Sequence, residues 1–133
     1  MKTSLFILFL LLNLNNEQLK IGLIPQDKFL LGCSCHFSLN KSDFDNKKTI
    51  YVDNLKIAYM YINEQLIEFK IDTTFSPDSI SERKILSAKM YKLILEKTET
   101  SHIEESWMQK GKLILRRNDG VEISRDIYGE CGC

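Results

Sequence analysis

All four cysteines of the chain lie in two Cys-x-Cys pairs, Cys33-Ser34-Cys35 near its start and Cys131-Gly132-Cys133 at its end. Thiols in such pairs form disulfides, bind soft metals as thiolates, or take part in redox exchange. Which chemistry applies depends on whether the fold brings the two pairs together. The predicted strands are therefore considered first for how they place these two pairs.

An antiparallel register predicts two disulfides. Residues i and i+2 of a strand point to the same side of a sheet, so the cysteines of each pair share a face. In an antiparallel ladder, the sum of the residue numbers of two facing residues is constant. This sum is the same for Cys33 with Cys133 and for Cys35 with Cys131, so one register aligns both pairs. Their Cβ atoms would lie about 4.5–5.5 Å apart, which needs only modest tightening for a disulfide. The parallel pairing, Cys33 with Cys131 and Cys35 with Cys133, stays open in second place, and bridging within a pair, which needs a turn, is third.

The rival interpretation is a four-thiolate site, and the alternative function is that of a periplasmic zinc or copper(I) binding protein. Zinc is usually held by Cys-x2-Cys on a tight knuckle, whereas Cys-x-Cys in a strand splays its sulfurs. A redox-active thiol ranks third, because no Lys or Arg is adjacent to either pair to lower a thiol pKa. We therefore predict disulfides at all four cysteines, with no metal and no cofactor.

Composition predicts a single exported domain. The chain has 133 residues, and its 18 basic residues balance 18 acidic ones, so no broad field favours nucleic acid. The apolar run after Met-Lys-Thr-Ser is too short to span a bilayer and is typical of a secretory signal. We predict a signal peptide at 1–16, an N-terminal arm at 17–32 and a disulfide-stapled β domain at 33–133. The predicted location is periplasmic or secreted.

The segment Leu30-Leu31-Gly32-Cys33 is similar to a bacterial lipobox, in which the cysteine is acylated. A lipobox should follow the apolar run directly, and here Pro25, Asp27 and Lys28 intervene. We therefore expect no membrane attachment after signal removal unless Cys33 carries a lipid.

The strand pattern predicts an all-β fold, an antiparallel barrel or sandwich of seven or eight strands behind an N-terminal signal segment. Strands are predicted from alternation and β-branched content at 33–39, 49–52, 55–62, 66–71, 88–98, 103–108, 112–117 and 121–127, the last running on into the terminal Cys-x-Cys. Hairpin turns are predicted at Asn63-Glu64-Gln65 and Asn118-Asp119-Gly120. Polar residues predict a loop at 40–48, a turn at 99–102, and a loop with one helical turn at 72–87.

Enzyme signatures do not occur in the sequence. It has no Gly-rich phosphate loop, no Gly-x-Ser-x-Gly and no His-Glu-x-x-His. The two histidines, His36 and His102, are predicted to be surface or turn residues rather than general bases. We therefore predict a non-enzymatic domain that binds a partner through its loops.

Three segments resemble the periplasmic lysozyme inhibitors of the MliC type: residues 55–71, Ser87-Ala88-Lys89-Met90-Tyr91, and Trp107-Met108-Gln109-Lys110-Gly111. Those proteins are small exported antiparallel β-barrels whose serine-bearing loop enters the lysozyme cleft and meets the catalytic carboxylates. The resemblance implies lysozyme as a protein partner and Ser87 and Lys89 as the binding residues. A lysine ammonium aimed at two carboxylates gains charge-assisted hydrogen bonds.

Overall fold

A computed structural model describes residues 18–29, 32 and 34–133 of the chain. The described strands are β1 (Ile21–Gly22), β2 (Ser34–Ser38), β3 (Tyr51–Asp53), β4 (Ile57–Ile62), β5 (Gln65–Phe75), β6 (Ser81–Ser87), β7 (Tyr91–Ile103), β8 (Ser106–Arg117) and β9 (Glu122–Gly132). A 3-10 turn (Gln26–Lys28) and the short helix α1 (Lys41–Asp45) complete the elements. The predicted signal peptide, Cys33 and most of the lipobox lie outside the described residues.

Eight strands close into an antiparallel barrel. They follow the order β4-β3-β2-β9-β8-β7-β6-β5, and pairing between β5 and β4 completes the circle. Strand β1 is added beside β4. The all-β prediction is confirmed, and the fold is the barrel rather than the sandwich. Closure removes the free sheet edges that would otherwise expose unpaired backbone groups.

The first barrel strand, β2, and the last, β9, lie side by side and antiparallel, in the predicted register. Cys35 is opposite Cys131, and a disulfide joins them across a Cα–Cα distance of 4.0 Å. Gly129 faces Phe37, and a Cβ there would collide with the His36 carbonyl, so glycine permits this close strand contact. Cys133 is also in a disulfide, while its predicted partner Cys33 is outside the described residues.

Alternating side chains of β4, β6, β7 and β8 supply much of the barrel interior. The largest fully buried side chains of the core cluster are Tyr51, Phe37, Phe69, Ile50, Met60, Ile62, Leu86, Leu93, Leu95, Leu113 and Leu115. Residues two apart share a face of a strand, so one apolar series per strand supplies the core and the intervening series faces outward. These side chains fill much of the interior, so the exposed polar side chains lie at the barrel ends and on its outer wall.

The prediction of a loop with a helical turn at residues 72–87 is wrong. Strand β5 continues to Phe75 after a bulge, and Ser81–Ser87 forms β6. Pro77 does not begin a helix. The Asp78 carboxylate instead accepts hydrogen bonds from the backbone N–H groups of Ile80 (3.0 Å) and Ser81 (2.7 Å) and so shapes a tight loop. Polar and charged residues at strand positions concealed both strands.

Two other loop predictions also need correction. The predicted turn at 99–102 is strand, because β7 runs on to Ile103 with a bulge after Glu99, and the turn falls at Glu104-Glu105. The predicted loop at 40–48 contains α1. The side chain of Asn40 caps this helix by accepting a 2.8 Å hydrogen bond from the Asp43 N–H.

The antiparallel order gives the barrel two distinct ends. We call the end that carries the β6–β7 loop (88–90) and the β8–β9 turn (118–121) the Lys89 end. We call the opposite end, which carries the β7–β8 turn and the Cys35–Cys131 disulfide, the Cys35 end. Each end positions a separate group of polar side chains.

Candidate functional site

The predicted binding residues Ser87 and Lys89 both lie at the Lys89 end. Ser87 is the last residue of β6, and its side chain is on the outer wall because the neighbouring Leu86 is in the core. Lys89 is exposed in the β6–β7 loop. The structure therefore brings the two residues to one exposed edge of the barrel.

Ser87 is also part of a basic row that sequence reasoning missed. Pairing across the outer wall places Ser87 between Lys70 on β5 and Lys92 on β7, and Lys92 is opposite Arg116 on β8. Arg116 in turn binds the Glu122 carboxylate through Nε (3.0 Å) and Nη2 (2.7 Å). Like charges directly opposed on neighbouring strands are destabilising, so the pairing of Lys92 with Arg116 is unfavourable for the isolated barrel.

Backbone hydrogen bonds hold the loop that carries Lys89. The Ala88 N–H donates to the Tyr91 carbonyl (3.0 Å), and the Asn118 N–H donates to the Met90 carbonyl (2.9 Å). The second bond ties this loop to the β8–β9 turn. In that turn, Arg117 donates two hydrogen bonds to Asp119 (3.0 and 2.8 Å), which lowers the pKa of the Asp119 carboxyl. The lysine is thus presented on a fixed hairpin end.

The Lys89 end has the chemistry of an anion-binding surface. A cleft of about 170 Å³ is lined by the β6–β7 loop, the start of β7 and the end of β8, with Lys89 and Lys92 among the lining residues. Within the described ranges, no carboxylate forms an ion pair with Lys70, Lys89 or Lys92. Three ammonium groups and the Ser87 hydroxyl are therefore available as donors to carboxylates of a partner.

A second polar group, which sequence reasoning also missed, is buried inside the barrel at the Cys35 end. The Lys84 ammonium is 3.1 Å from the Asp53 carboxylate, and both side chains are almost completely buried. The Tyr51 hydroxyl donates a 2.6 Å hydrogen bond to the same carboxylate. Burial, together with the Asp53 charge, raises the pKa of Tyr51 well above its ordinary value, so Tyr51 stays a donor.

Lys97 connects this buried group to the disulfide. Its Nζ atom is 3.0 Å from the Cys131 Sγ, 3.6 Å from the Cys35 Sγ and 3.3 Å from Glu82 Oε1. Burial and then the Lys84 charge lower the pKa of Lys97, while Glu82 opposes the shift. No lysine or arginine is adjacent to the cysteines in sequence. In the fold, however, β7 places Lys97 against the disulfide, so the expectation that no cation lies near the cysteines is wrong.

The two histidines occupy different surroundings. His36 is on the outer wall, stacked on Phe44 and 3.2 Å from the Glu130 carboxylate. Burial lowers the pKa of His36 below its ordinary value of 6.5, and the charge of Glu130 partly opposes the shift. His102 is exposed and stacks on Trp107 with ring centroids 4.7 Å apart. Both histidines lie on the surface, as predicted.

Replacing Glu130 with glutamine should lower the pKa of His36 further, because burial then acts unopposed. The unfolded chain binds the proton near pH 6.5 and the folded chain only at lower pH, so stability falls as the pH drops below about 6.5. In the variant, the lower folded-state pKa of His36 should extend this loss of stability to a lower pH. An NMR titration of the imidazole signals measures the pKa directly. An unchanged or higher pKa in Glu130→Gln would contradict the assigned contact.

The described residues offer no preformed metal site. Among them, no group of three or more His, Cys, Asp and Glu side chains is arranged to hold a metal ion. The sulfurs of Cys35 and Cys131 are joined in a disulfide and so are not thiolate ligands in this state. Over the same part of the chain, none of the helices is sufficiently long and apolar to cross a bilayer.

Similarity to known proteins does not assign a function to either group. No protein-family model, curated protein or solved structure matches this chain. The resemblance to MliC-type inhibitors therefore depends on the three short segments at 55–71 and around Ser87 and Trp107, and the roles of Ser87 and Lys89 stay predictions.

Proposed function

We propose that the chain is an exported, non-enzymatic binding protein that docks its Lys89 end into a carboxylate-lined cleft of a protein partner, as a lysozyme inhibitor does. The observation that carries the proposal is the placement of Ser87, Lys89 and Lys92 together at a fixed hairpin end, where no carboxylate of the described residues is paired to either lysine. The Cys35–Cys131 disulfide supports export, because structural disulfides persist in oxidising compartments.

The donors at the Lys89 end are suited to the active site of a lysozyme-type glycosidase. Such enzymes have two carboxyl groups about 5–9.5 Å apart on either side of the scissile bond. An ammonium that enters between them forms charge-assisted hydrogen bonds, worth about 1.5–3 kcal/mol each. The Ser87 hydroxyl and the second ammonium of Lys92 supply further donors at the rim. Binding of this kind blocks the enzyme without any chemistry by the inhibitor.

Metal binding, the alternative function, gains no support from the geometry. It requires four thiolates, and the Cys35 and Cys131 sulfurs are joined to each other. Cys133 is also in a disulfide. The partner-binding function therefore stands as the proposal.

Lysozyme inhibition tests the proposal. We expect the purified chain to inhibit lysozyme in a turbidity assay of bacterial cell walls and to bind it saturably in calorimetry. The double variant Ser87→Ala/Lys89→Ala should weaken binding at least tenfold, which corresponds to the loss of one charge-assisted hydrogen bond at about 1.4 kcal/mol per factor of ten. Binding should also weaken as salt screens the charges.

Lys56→Glu is the matched control, because Lys56 is an exposed turn lysine at the Cys35 end. This variant should bind lysozyme as the unmodified chain does, whereas Lys89→Glu should not. Equal effects of the two reversals would show that only net charge matters and would contradict docking through the Lys89 end. A chain that neither binds nor inhibits lysozyme would overturn the proposed function.

A further inference from the structure

The contact between Lys97 and the Cys35–Cys131 bridge favours the reduced form of the cysteines. A disulfide sulfur carries no net charge and accepts hydrogen bonds weakly. A thiolate is an anion, and a neighbouring lysine lowers the pKa of a thiol by stabilising it. An ammonium 3.0 Å from the Cys131 Sγ and 3.6 Å from the Cys35 Sγ therefore stabilises either sulfur more strongly after the bond has broken.

The surrounding charges keep Lys97 available for this role. Glu82 faces its ammonium from β6 at 3.3 Å. The second buried ammonium, that of Lys84, is closest to Asp53 at 3.1 Å and is also 3.5 Å from Glu82. The two carboxylates and the two ammonium groups balance in number. A thiolate formed at Cys131 would thus be the one additional anion of the group, in direct contact with Lys97.

The two cysteines differ in their exposure to solvent. Cys35 is 1% exposed, whereas Cys131 is only partly buried. An external thiolate can therefore approach Cys131, and the sulfur that leaves is that of Cys35. Because Lys97 is within 3.6 Å of both sulfurs, it contacts each leaving thiolate in turn.

We propose that Cys35–Cys131 is an exchangeable disulfide that accepts two electrons from an external dithiol, with Lys97 stabilising the thiolates that are released. The first thiol of the dithiol loses its proton to solvent and attacks the Cys131 sulfur, and the Cys35 thiolate leaves. The second thiol passes its proton to Cys35 and attacks its partner sulfur in the mixed disulfide. The products are an oxidised dithiol, the Cys35 thiol and the Cys131 thiolate beside Lys97. This proposal does not depend on partner binding, which concerns the opposite end of the barrel.

A redox titration of the full chain in buffers of reduced and oxidised dithiothreitol tests the proposal. Free thiols are alkylated at each point, and fragmentation of the tryptic peptides assigns the label to individual cysteines. Lys97→Met should make the bridge at least tenfold harder to reduce, which is a shift of about 30 mV to a more negative potential for a two-electron couple. Lys97→Arg keeps the positive charge and should restore most of the difference, and circular dichroism confirms folding at each point.

A second measurement needs no variant. After reduction of the unmodified chain, the rate of alkylation of Cys131 as a function of pH should give a thiol pKa below the free-cysteine value of about 8.5. This measurement decides the question if Lys97→Met does not fold. A folded Lys97→Met protein with an unchanged exchange constant would overturn the proposal. So would a Cys131 thiol pKa at or above the free-cysteine value.

Discussion

Replacing both Cys35 and Cys131 with alanine should lower the free energy of unfolding by about 2–4 kcal/mol. The bridge joins residues 96 apart in sequence, and closing a loop of about 100 residues is worth about 4.7 kcal/mol in the chain-entropy model. The expected loss is smaller because the disulfide of Cys133 still restricts the unfolded chain. Denaturation in guanidinium chloride measures the loss.

Chemical reduction offers an informative comparison with the alanine variant. Lys97 lies 3.0 Å from the Cys131 Sγ, so by the proposal above the reduced wild-type protein can form a thiolate there that Lys97 stabilises, which the double alanine variant cannot. If Cys133 is kept oxidised, the reduced protein should therefore lose less stability than the variant. A loss below about 0.5 kcal/mol in the alanine variant, within the range of ordinary surface substitutions, would contradict a structural role for the bridge.

Replacing Asp53 with alanine should lower the free energy of unfolding by about 3–5 kcal/mol, because the buried Lys84 ammonium loses its closest carboxylate and keeps only Glu82, which is 3.5 Å away and also faces Lys97. The Tyr51 hydroxyl loses its acceptor in the same variant. Lys84→Met should be similarly destabilising, since it leaves the Asp53 carboxylate buried without its cation. Guanidinium denaturation of each single variant measures both effects.

The double variant Asp53→Ala/Lys84→Met provides the control for that prediction. It removes both charges of the pair, so it should be less destabilised than the sum of the two single variants. The exposed pair of Arg83 and Glu96 on the outer wall serves as a comparison, because its removal should change stability by less than about 1 kcal/mol. Strictly additive effects at Asp53 and Lys84 would contradict a direct ion pair inside the barrel.

The pairing of the chain ends could be predicted from sequence because two features agree on one register. Each Cys-x-Cys pair places both cysteines on the same face of a strand, and the antiparallel totals coincide. The hairpin at Asn118-Asp119-Gly120 was likewise encoded locally, and Gly120 adopts a positive φ of 97° there. Both features depend only on the spacing of the cysteines and on the residues of one turn, and these can be read directly from a single sequence.

Strand β6 could not be recognised from the sequence because charged side chains occupy its inward-facing positions. Glu82-Arg83-Lys84 is typical of a solvated loop, yet Glu82 and Lys84 point inward, where Glu82 meets Lys97 of β7 and Lys84 meets Asp53 of β3. Lys84 meets Asp53 across 31 positions of sequence, and nothing local to either residue indicates the other. Polar residues buried as pairs break the alternation rule on which strand prediction depends.

The sequence could predict that Lys97 faces the barrel interior, but not that it contacts the disulfide. Leu93, Leu95 and Lys97 are two apart on β7, so the pattern placed Lys97 on the inner face of the barrel. Its contact with the disulfide also depends on how β7, β2 and β9 curve around the same interior. The basic row at the Lys89 end was hidden for the same reason, because Lys70 and Lys92 become neighbours of Ser87 only through strand pairing.

Disulfide mapping tests whether β2 and β9, the first and last barrel strands, pair with each other and so close the barrel. The unreduced chain is digested with trypsin, partially reduced and alkylated in steps, and each linked cysteine is assigned by fragmentation. We expect a bond between Cys35 and Cys131, which links a peptide from the start of the barrel domain to one from its end. A Cys35 that is free, or bonded to Cys33 or Cys133, would contradict it.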